Sequence, residues 1–540
     1  MHVYYAFGSR YVIYPINIYD FNDLRMRGDY ELMSQICIII AIAAYLIVMI
    51  YVGLRFSKTN TSATDFYLGG RKLGPFVTAM SAEASDMSSW LLMGLPGVAY
   101  LSGLADAGWT AIGLAVGTYI NWLIVSKRIR RYTSRVHALT LPDFFAKRYG
   151  DDKHILTCVS AIIIVIFFIP YTASGFAACG KLFNTLFGVN YMVAMILSAA
   201  VIVLYCTMGG FRAVSTTDFI QSITMSIALL VVIFFGVSSA GGLDTVIDNA
   251  KALPGYLSMF QTYVTSTGES APYSALSIAS MMAWGLGYFG MPHILLRFMA
   301  IEDENKLKLS RRIASVWVVI SMAIALFIGV IGYSMSKASV IPTLEGSNSE
   351  TIIVQIASNL SNYNVLAALI AGVILAGILA ATMSTADSQL LAAASSISQN
   401  LLQDFGKKKL NTKTSVKIAR VTVIIISIIS VVLASDPNSS IFEIVSFAWA
   451  GFGAAFGPIV LCALFWKRSN KWGALCGMIA GGAMIFIWKY GIAKLGGAFS
   501  IYELLPAFLI ALVVNVVVSL VTAAPSEEII KTYEEVNAKN

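Results

Sequence analysis

MSAEASDMSSWLLMGLPG, residues 80–97, sets two acids and four serines inside a long apolar region. A carboxylate at the middle of a bilayer costs at least about 2.5–3.5 kcal/mol on insertion scales, so Asp86 needs a partner or a cavity. Two readings are open. Asp86 pairs with a distant helix and holds the bundle together, or it neutralises a transported cation or a substrate ammonium. The second is preferred because the backbone around it is weak: serines followed by GLPG at 94–97 disfavour a continuous helix and free carbonyl oxygens. Carbonyls, hydroxyls and a carboxylate are the hard oxygen ligands a sodium ion takes. Glu83 lies three residues before Asp86, on the same face if the segment is helical, where like charges oppose each other. Glu83 is then either protonated or in water at the cytoplasmic mouth, the second preferred because it is nearer the basic loop.

The rest of the chain fits a membrane setting. Of 540 residues, 57% are hydrophobic and 12% charged, against about 25% charged in a soluble domain. Thirteen apolar runs, at roughly 34–55, 73–102, 107–126, 154–180, 190–208, 219–238, 273–296, 313–335, 365–400, 415–434, 441–466, 471–488 and 501–523, are long enough to cross a core of about 30 Å. They do not alternate with period two, which disfavours a transmembrane barrel. The class is an all-α polytopic membrane protein.

The net charge of +8 reads as topology rather than nucleic-acid binding. Of the 37 Lys and Arg, 29 fall on the side reached after odd-numbered runs and 8 on the other. The positive-inside rule then puts the N-terminus outside and the C-terminus in the cytoplasm of a multi-pass cell-membrane protein. The partners implied are the lipid bilayer, an ion and a small solute, with no nucleic acid and no obligate protein partner. The six cysteines lie within spans without a CxxC spacing, and the four histidines are scattered. No metal or nucleophile constellation is visible, so the chain reads as no enzyme and as needing no resident cofactor.

Organisation follows from helix breakers. AWGLGYFGMP, residues 283–292, interrupts the seventh run as the serine cluster interrupts the second. Two broken helices five spans apart are the mark of an inverted repeat with the binding site between its halves. The expected layout is an N-terminal extension over 1–32, disordered or preceding a start near Met33, one membrane domain over 33–523 and a short cytoplasmic tail over 524–540. LPDFFAKRYG, 141–150, suits a short interfacial helix. In the ninth run Ser384 and Thr385 either bond back to their own helix or face the opened second span as ion ligands, and Asp387 is expected to cap or bridge helices. Tyr171, Trp284 and Tyr288 either pack as ordinary membrane aromatics or line a solute site, Trp284 and Tyr288 at i, i+4 spacing around the glycine break.

At these motifs the chain resembles the sodium/solute symporter family, most closely its bacterial sodium/proline branch. The resemblance spans about 500 residues and includes FYLGGRKLGPFVTAMSAEASDMSSWLLMGLPG (66–97), ALTLPDFFAKRYGD (138–151), WGLGYFGMPHILLRFMA (284–300), ATMSTADSQLL (381–391) and SFAWAGFGAAFGP (446–458). It implies a core of the leucine-transporter type, a 5+5 inverted repeat within thirteen helices, that couples one sodium to one L-proline by alternating access. It implies a sodium site of the carbonyls of Ala84, Met87 and Ala381 and the hydroxyls of Ser384 and Thr385, with Asp86 the acid needed for sodium dependence. Ser88, Tyr171, Trp284 and Tyr288 map to the solute site, and Arg71, Glu83, Ser89 and Trp90 to coupling and gating positions. The proline branch usually carries Gly where this chain has Glu83 and Ser89. The alternatives are a sodium symporter for another amino acid, a betaine or a carboxylate, and a membrane sensor built on the same fold.

Overall fold

The computed structural model describes residues 18–57, 63–207, 210–408 and 412–538. Residues 1–17 of the expected extension over 1–32 lie outside the described residues, while 18–32 belong to α1 (Ile18–Ser57), which runs through the proposed boundary as helix. Among the described residues ten helices are long and apolar enough to cross a membrane. The other three expected spans coincide with short or interrupted helices. One is α2, broken into α2a (Pro75–Ser89), a π-helical turn at Trp90–Gly94 and α2b (Leu95–Ser102). The others are α5 (Tyr191–Cys206) and α7, in which α7a (Ala275–Met282) gives way to a 3-10 segment at Ala283–Phe289 before α7b (Pro292–Ala300). The remaining spans are α3 (Leu104–Ile120, continued by a π turn into Ser126–Arg135), α4 (Ile155–Phe187), α6 (Phe211–Ser239), α8 (Leu307–Lys337), α9 (Val365–Ser395), α10 (Thr412–Leu433), α11 (Ile441–Phe465), α12 (Lys471–Tyr490) and α13 (Leu504–Val521).

Among the ten long spans α11 and α9 are the most buried, with 89% and 72% of their apolar windows inside the protein, whereas α1 and α12 have 28% each. Both central helices are rich in Ala, Gly and Ser. That composition suits a membrane interior, where lipid tails are as apolar as Leu and helices associate through close packing. Helix α9 packs against α1, α2a, α4 and α6, and α11 packs against α4 and the 3-10 segment of α7. The broken helices therefore lie against the two most enclosed ones. A hairpin, β1 (Gln261–Val264) with β2 (Glu269–Pro272), sits between α6 and α7.

Two close approaches fix the broken helix α7. A methyl group on Gly117 would overlap the Gly285 carbonyl, and one on Gly285 would overlap the Gly113 carbonyl. Helix α3 and the 3-10 segment thus touch backbone to backbone. On the other side, the Trp449 indole N–H of α11 donates to the Trp284 carbonyl at 2.7 Å, taking up a backbone group that the missing α-helical ladder leaves free.

The cytoplasmic half expected from the charge pattern carries a buried cross-link. Arg297 of α7b donates to Asp218 of α6 at 2.9 Å, to Ser81 of α2a at 3.0 Å, to Ser388 of α9 at 2.5 Å and back to the His293 carbonyl at 2.8 Å. Ser81 also donates to Asp218 at 2.6 Å. Arg297 and Asp218 are fully enclosed, so one guanidinium ties four helices. Asp387 lies at the edge of this cluster, where the Ser388 hydroxyl contacts its Oδ1 at 3.4 Å.

The helix expected at LPDFFAKRYG is present at Leu141–Tyr149, capped by the Thr140 hydroxyl, with its aromatics turned into protein. Phe144, Phe145, Arg148 and Tyr149 are all buried in protein. Arg148 donates to the Ala463 carbonyl at 2.8 Å, satisfying the C-terminal end of α11. The tail forms a helix, Glu527–Asn537, whose Tyr533 ring lies 5.0 Å from the Arg148 guanidinium.

Two outcomes test this packing. Gly285→Val is expected to destabilise the protein by about 1–3 kcal/mol through overpacking, read as a lower unfolding midpoint in detergent. An unchanged midpoint would mean that α3 and α7 are not in backbone contact. Asp218→Ala leaves Arg297 buried without its counter-charge, a loss of about 3–5 kcal/mol. Size-exclusion profiles should then show mostly aggregate, whereas Asp218→Glu should retain a monodisperse fraction.

Candidate functional site

The break in α2 falls at Ser88. Its backbone sits at φ 47°, ψ −170°, a conformation unusual for a non-glycine residue. The chain before it is helical to Met87, and Trp90 resumes right-handed geometry. Three contacts repair the interruption. The Trp90 amide donates to the Ser88 hydroxyl at 3.1 Å and to the Met87 carbonyl. The Tyr171 hydroxyl of α4, one residue past the helix-weakening Pro170, donates to the Asp86 carbonyl at 2.9 Å. The Ser384 hydroxyl of α9 reaches the Ala84 carbonyl at 2.8 Å.

These contacts bring together most of the expected ion ligands. Ser384 Oγ lies between the Ala84 carbonyl and the Ala381 carbonyl, the latter at 3.1 Å, and the Thr385 hydroxyl lies 3.1 Å from the same Ala381 oxygen. Of the two hydroxyls only Ser384 crosses to α2a, while Thr385 bonds back to its own helix, and all four residues are buried. The Met87 carbonyl, one turn further along, is turned to the Trp90 amide rather than to α9.

Asp86 is 5% exposed and makes no ion pair among the described residues. Its Oδ2 accepts from the Tyr288 hydroxyl of the 3-10 segment at 2.6 Å. The reading of Asp86 as a distant-helix partner is therefore met only by a neutral hydroxyl, which leaves the carboxylate charge without a counter-charge.

The expected solute residues divide into two groups. Tyr171 and Tyr288 converge on Asp86. Trp284 stands in an aromatic cluster, 5.4 Å from Trp90, 5.2 Å from Phe442 and 5.2 Å from Tyr502, while Trp449 lies 5.1 Å from Tyr288, edge to face. The wall between the two broken helices is thus aromatic on one side and oxygen-rich on the other. Trp449, Phe442 and Tyr502 were not among the sequence candidates. Trp449 had a signal, a lone indole in AWAGFGAAFG, whereas nothing near Phe442 or Tyr502 marks them. Arg297 and Asp218 were also missed, although an arginine eight residues beyond the AWGLGYF break needed a partner.

Two expectations about the departures from the family pattern change. Glu83 is not in water: it is 1% exposed. Its Oε1 accepts from the Trp122 indole N–H at 2.8 Å and from the Thr118 hydroxyl at 3.1 Å, both on α3. Spacing along α2 alone places Glu83 towards the basic loop, but α3 covers that face with a matched pair of donors. Ser89 sits at φ −60°, ψ −16°, ordinary right-handed helix, so a side chain there carries no backbone strain. The strained position is its neighbour Ser88.

Arg71 lies at the entry to α2 and fastens it to α3 and α7b. It donates to the Met299 carbonyl at 2.6 Å, the Ala138 carbonyl at 2.7 Å and the Thr133 carbonyl at 3.2 Å. Burial and the neighbouring Arg130 push its guanidinium down to about 10, which still leaves it charged at neutral pH. A parallel bridge pairs Leu73 with Ile301 beside it.

Comparison with known proteins places this arrangement in a family. Residues 66–481 match the model of the sodium:solute symporter family. The chain is 41% identical to the osmoregulated proline transporter OpuE of Bacillus subtilis over 493 residues, 91% of this chain and 96% of that one. It is 41% identical to a sodium/proline symporter of Haemophilus influenzae over 503 residues, 92% of this chain and 97% of that one. Among solved structures it is similar to a substrate-bound, outward-open Na+-coupled sialic acid symporter, with a TM-score of 0.73 at 18% identity, covering 91% of this chain and 99% of that one. It is also similar to MhsT in complex with L-phenylalanine, with a TM-score of 0.52 at 13% identity over 83% and 97% of the two chains. The fold is that of leucine-transporter-type membrane proteins, and the chain belongs to the sodium:solute symporter family.

Proposed function

We propose that this protein couples inward sodium flux to L-proline uptake by alternating access, as a thirteen-span cell-membrane symporter with its N-terminus outside and its C-terminus cytoplasmic. The observation that carries the reading is the Ser384 bridge between the Ala84 and Ala381 carbonyls, on the same broken helix as a buried carboxylate that has no counter-charge among the described residues. A cation entering there exchanges water for carbonyl and hydroxyl oxygens and meets the Asp86 charge. Ala84, Ala381, Ser384 and Thr385 hold the ion, Met87 joins them when the turn at Ser88 opens, and Asp86 supplies the charge. Residues 1–32 form an extension, 33–523 the membrane domain and 524–540 a cytoplasmic tail. No catalytic step is assigned.

Ion and solute couple because they share one broken helix. Filling the α2a–α9 site orders the residues around Ser88 and removes part of the ordering cost from the solute, which makes binding cooperative. The solute carboxylate meets the helix starts that follow the two breaks, the turn beginning at Trp90 and α7b, where first-turn amides favour an anion. Its ring lies against Tyr171, Tyr288 and Trp284, with Ser88 at the rim. Arg71, Glu83, Ser89 and Trp90 govern how the broken helix moves. Each charge carried inward gains about 2.3 kcal/mol per 100 mV of membrane potential.

Proline uptake into proteoliposomes under an imposed sodium gradient tests the assignment. Uptake should require sodium, and competition by a panel of other amino acids, betaines and carboxylates should leave proline the strongest competitor. Asp86→Asn should abolish sodium stimulation while the protein still folds and inserts. Ser384→Ala should raise the sodium concentration for half-maximal uptake by roughly tenfold, the loss of one well-placed oxygen at about 1.4 kcal/mol. Normal sodium dependence in both variants would exclude this ion site.

A further inference from the structure

Helix α13 is a peripheral span, with 33% of its apolar window inside the protein, yet the chain just before it enters the aromatic cluster between the broken helices. Tyr502 is buried there and makes three kinds of contact. Its ring stacks on the Trp284 indole, with 5.2 Å between centroids and 23° between planes. Trp90 and Phe442 lie as close to that indole, at 5.4 and 5.2 Å, but are tilted by 35° and 47°. The Tyr502 hydroxyl donates to the Ser446 carbonyl of α11 at 2.7 Å, one turn before Trp449, whose indole N–H holds the Trp284 carbonyl. Its amide donates to the Ser280 hydroxyl of α7a at 2.8 Å, one turn before Trp284 itself. The same segment is anchored beyond the tyrosine. Leu504 packs into α11 at Gly453, where a methyl group would overlap its Cδ1, and Glu503 pairs with Lys489 of α12 at 3.6 Å. Ring, hydroxyl and amide of one residue thus converge on the position of one indole.

We propose that Tyr502 is a positioning residue for the solute: by bracing Trp284 it limits the size of the ring the site accepts, and so sets a preference for a five-membered over a six-membered cyclic amino acid. The proposal rests on the reading of Trp284 as a wall of the solute site and of proline as the solute. An indole against the solute yields to a larger ring by backing away along its own normal or by turning on its side-chain torsions. Tyr502 stacks close to parallel with the indole and opposes the first movement. The bonds to Ser280 and Ser446 keep Tyr502 from moving with it. One extra methylene in a fitted apolar pocket is worth roughly 10–200-fold in discrimination. That margin exists only while the wall is stiff, because a wall that gives way removes the cost of overpacking. The contacts of Tyr502 run to α7a, its 3-10 segment and α11, whereas the oxygens of the ion site lie on α2a and α9. Solute choice and ion affinity are therefore separable at this residue.

Uptake of labelled L-proline into proteoliposomes, and its inhibition by L-pipecolate, the six-membered homologue, read the preference. Binding of 22Na+ without solute reads the ion site, and size exclusion reads folding. The wild type should favour proline by at least about tenfold. Tyr502→Leu should raise the proline concentration for half-maximal uptake roughly three- to tenfold, the worth of one aromatic pair. Inhibition by pipecolate should be unchanged or stronger, which narrows the preference by the same factor or more. Maximal rate and sodium binding should match the wild type. Tyr502→Phe keeps the stack and should restore the preference. Should Tyr502→Leu elute as aggregate, Ser280→Ala frees the Tyr502 amide, leaves every ring in place and should narrow the same ratio. An unchanged ratio in the monodisperse variants overturns the proposal, as does an equal loss of affinity for both solutes, the result of a merely structural support. Sodium binding or maximal rate that falls in step with proline affinity overturns it too, as does a wild type that takes both rings equally. Absence of any sodium-driven proline uptake by the wild type sinks the symport reading itself, a different result from a symporter whose ring preference ignores Tyr502.

Discussion

A helix broken inside a membrane must have its backbone groups satisfied by neighbours, because no bulk water reaches them. That constraint organises the centre of this protein. The break at Ser88 frees carbonyls on the last turn of α2a, and each repair comes from a different helix: Tyr171 from α4 for the Asp86 carbonyl, Ser384 from α9 for the Ala84 carbonyl. In α7 the Trp284 carbonyl is met by Trp449 of α11 and the Tyr288 carbonyl by Asn121 of α3. The residues that mend the breaks are thus the residues that line the space between them. A hydroxyl that donates to a carbonyl at rest keeps lone pairs free for an arriving cation, so structural repair and ion binding use the same atoms.

The two broken helices are also fastened to each other at one end. Leu73 pairs with the end of α7b through the Ala300 carbonyl at 3.2 Å and the Glu302 amide at 3.0 Å, and Arg71 closes the same junction. The contact of Gly113 and Gly117 with Gly285 joins α3 to this pair. Helices α2, α3 and α7 therefore have reason to move as one body. Arg297 links this body to its neighbours, and its bonds to Ser388 of α9 and Asp218 of α6 are the ones a rocking motion would exchange, while its bond to Ser81 stays within the body.

Much of this was legible in the sequence because its signals are local. Composition gave the membrane class, and helix breakers gave α2 and α7 as the interrupted pair. The residues Ala84, Ala381, Ser384 and Thr385, named through family resemblance, are brought into contact by the structure. What was not legible depends on what lies across the helix. Spacing on α2 placed Glu83 near water, but Thr118 and Trp122, thirty-five or more residues away, enclose it. The aromatics of 141–150 read as interfacial because a sequence does not tell a lipid-facing ring from one covered by α11. Ser89 drew attention as the replaced glycine, yet the positive φ belongs to Ser88, since a one-residue shift in a break is invisible in composition.

Four buried acids of this chain divide into two groups, and the division carries the functional argument. Asp218 is paired with Arg297, and Glu350 is paired with Lys181 at 2.7 Å while it also accepts from the first amides of α11. A buried pair of this kind holds two elements in register, and removing one partner strands the other. Asp86 and Glu83 instead receive only neutral donors, two tyrosine or threonine hydroxyls and an indole. A resident arginine would have stabilised either carboxylate permanently and closed it to any mobile ion. Neutral donors orient the carboxylate without cancelling its charge, which at Asp86 leaves the largest part of its electrostatic stabilisation to be supplied by a cation that comes and goes. The same chemistry, a carboxylate in a low-dielectric interior, thus serves as a rivet where its partner is covalently part of the chain and as a receptor where it is not.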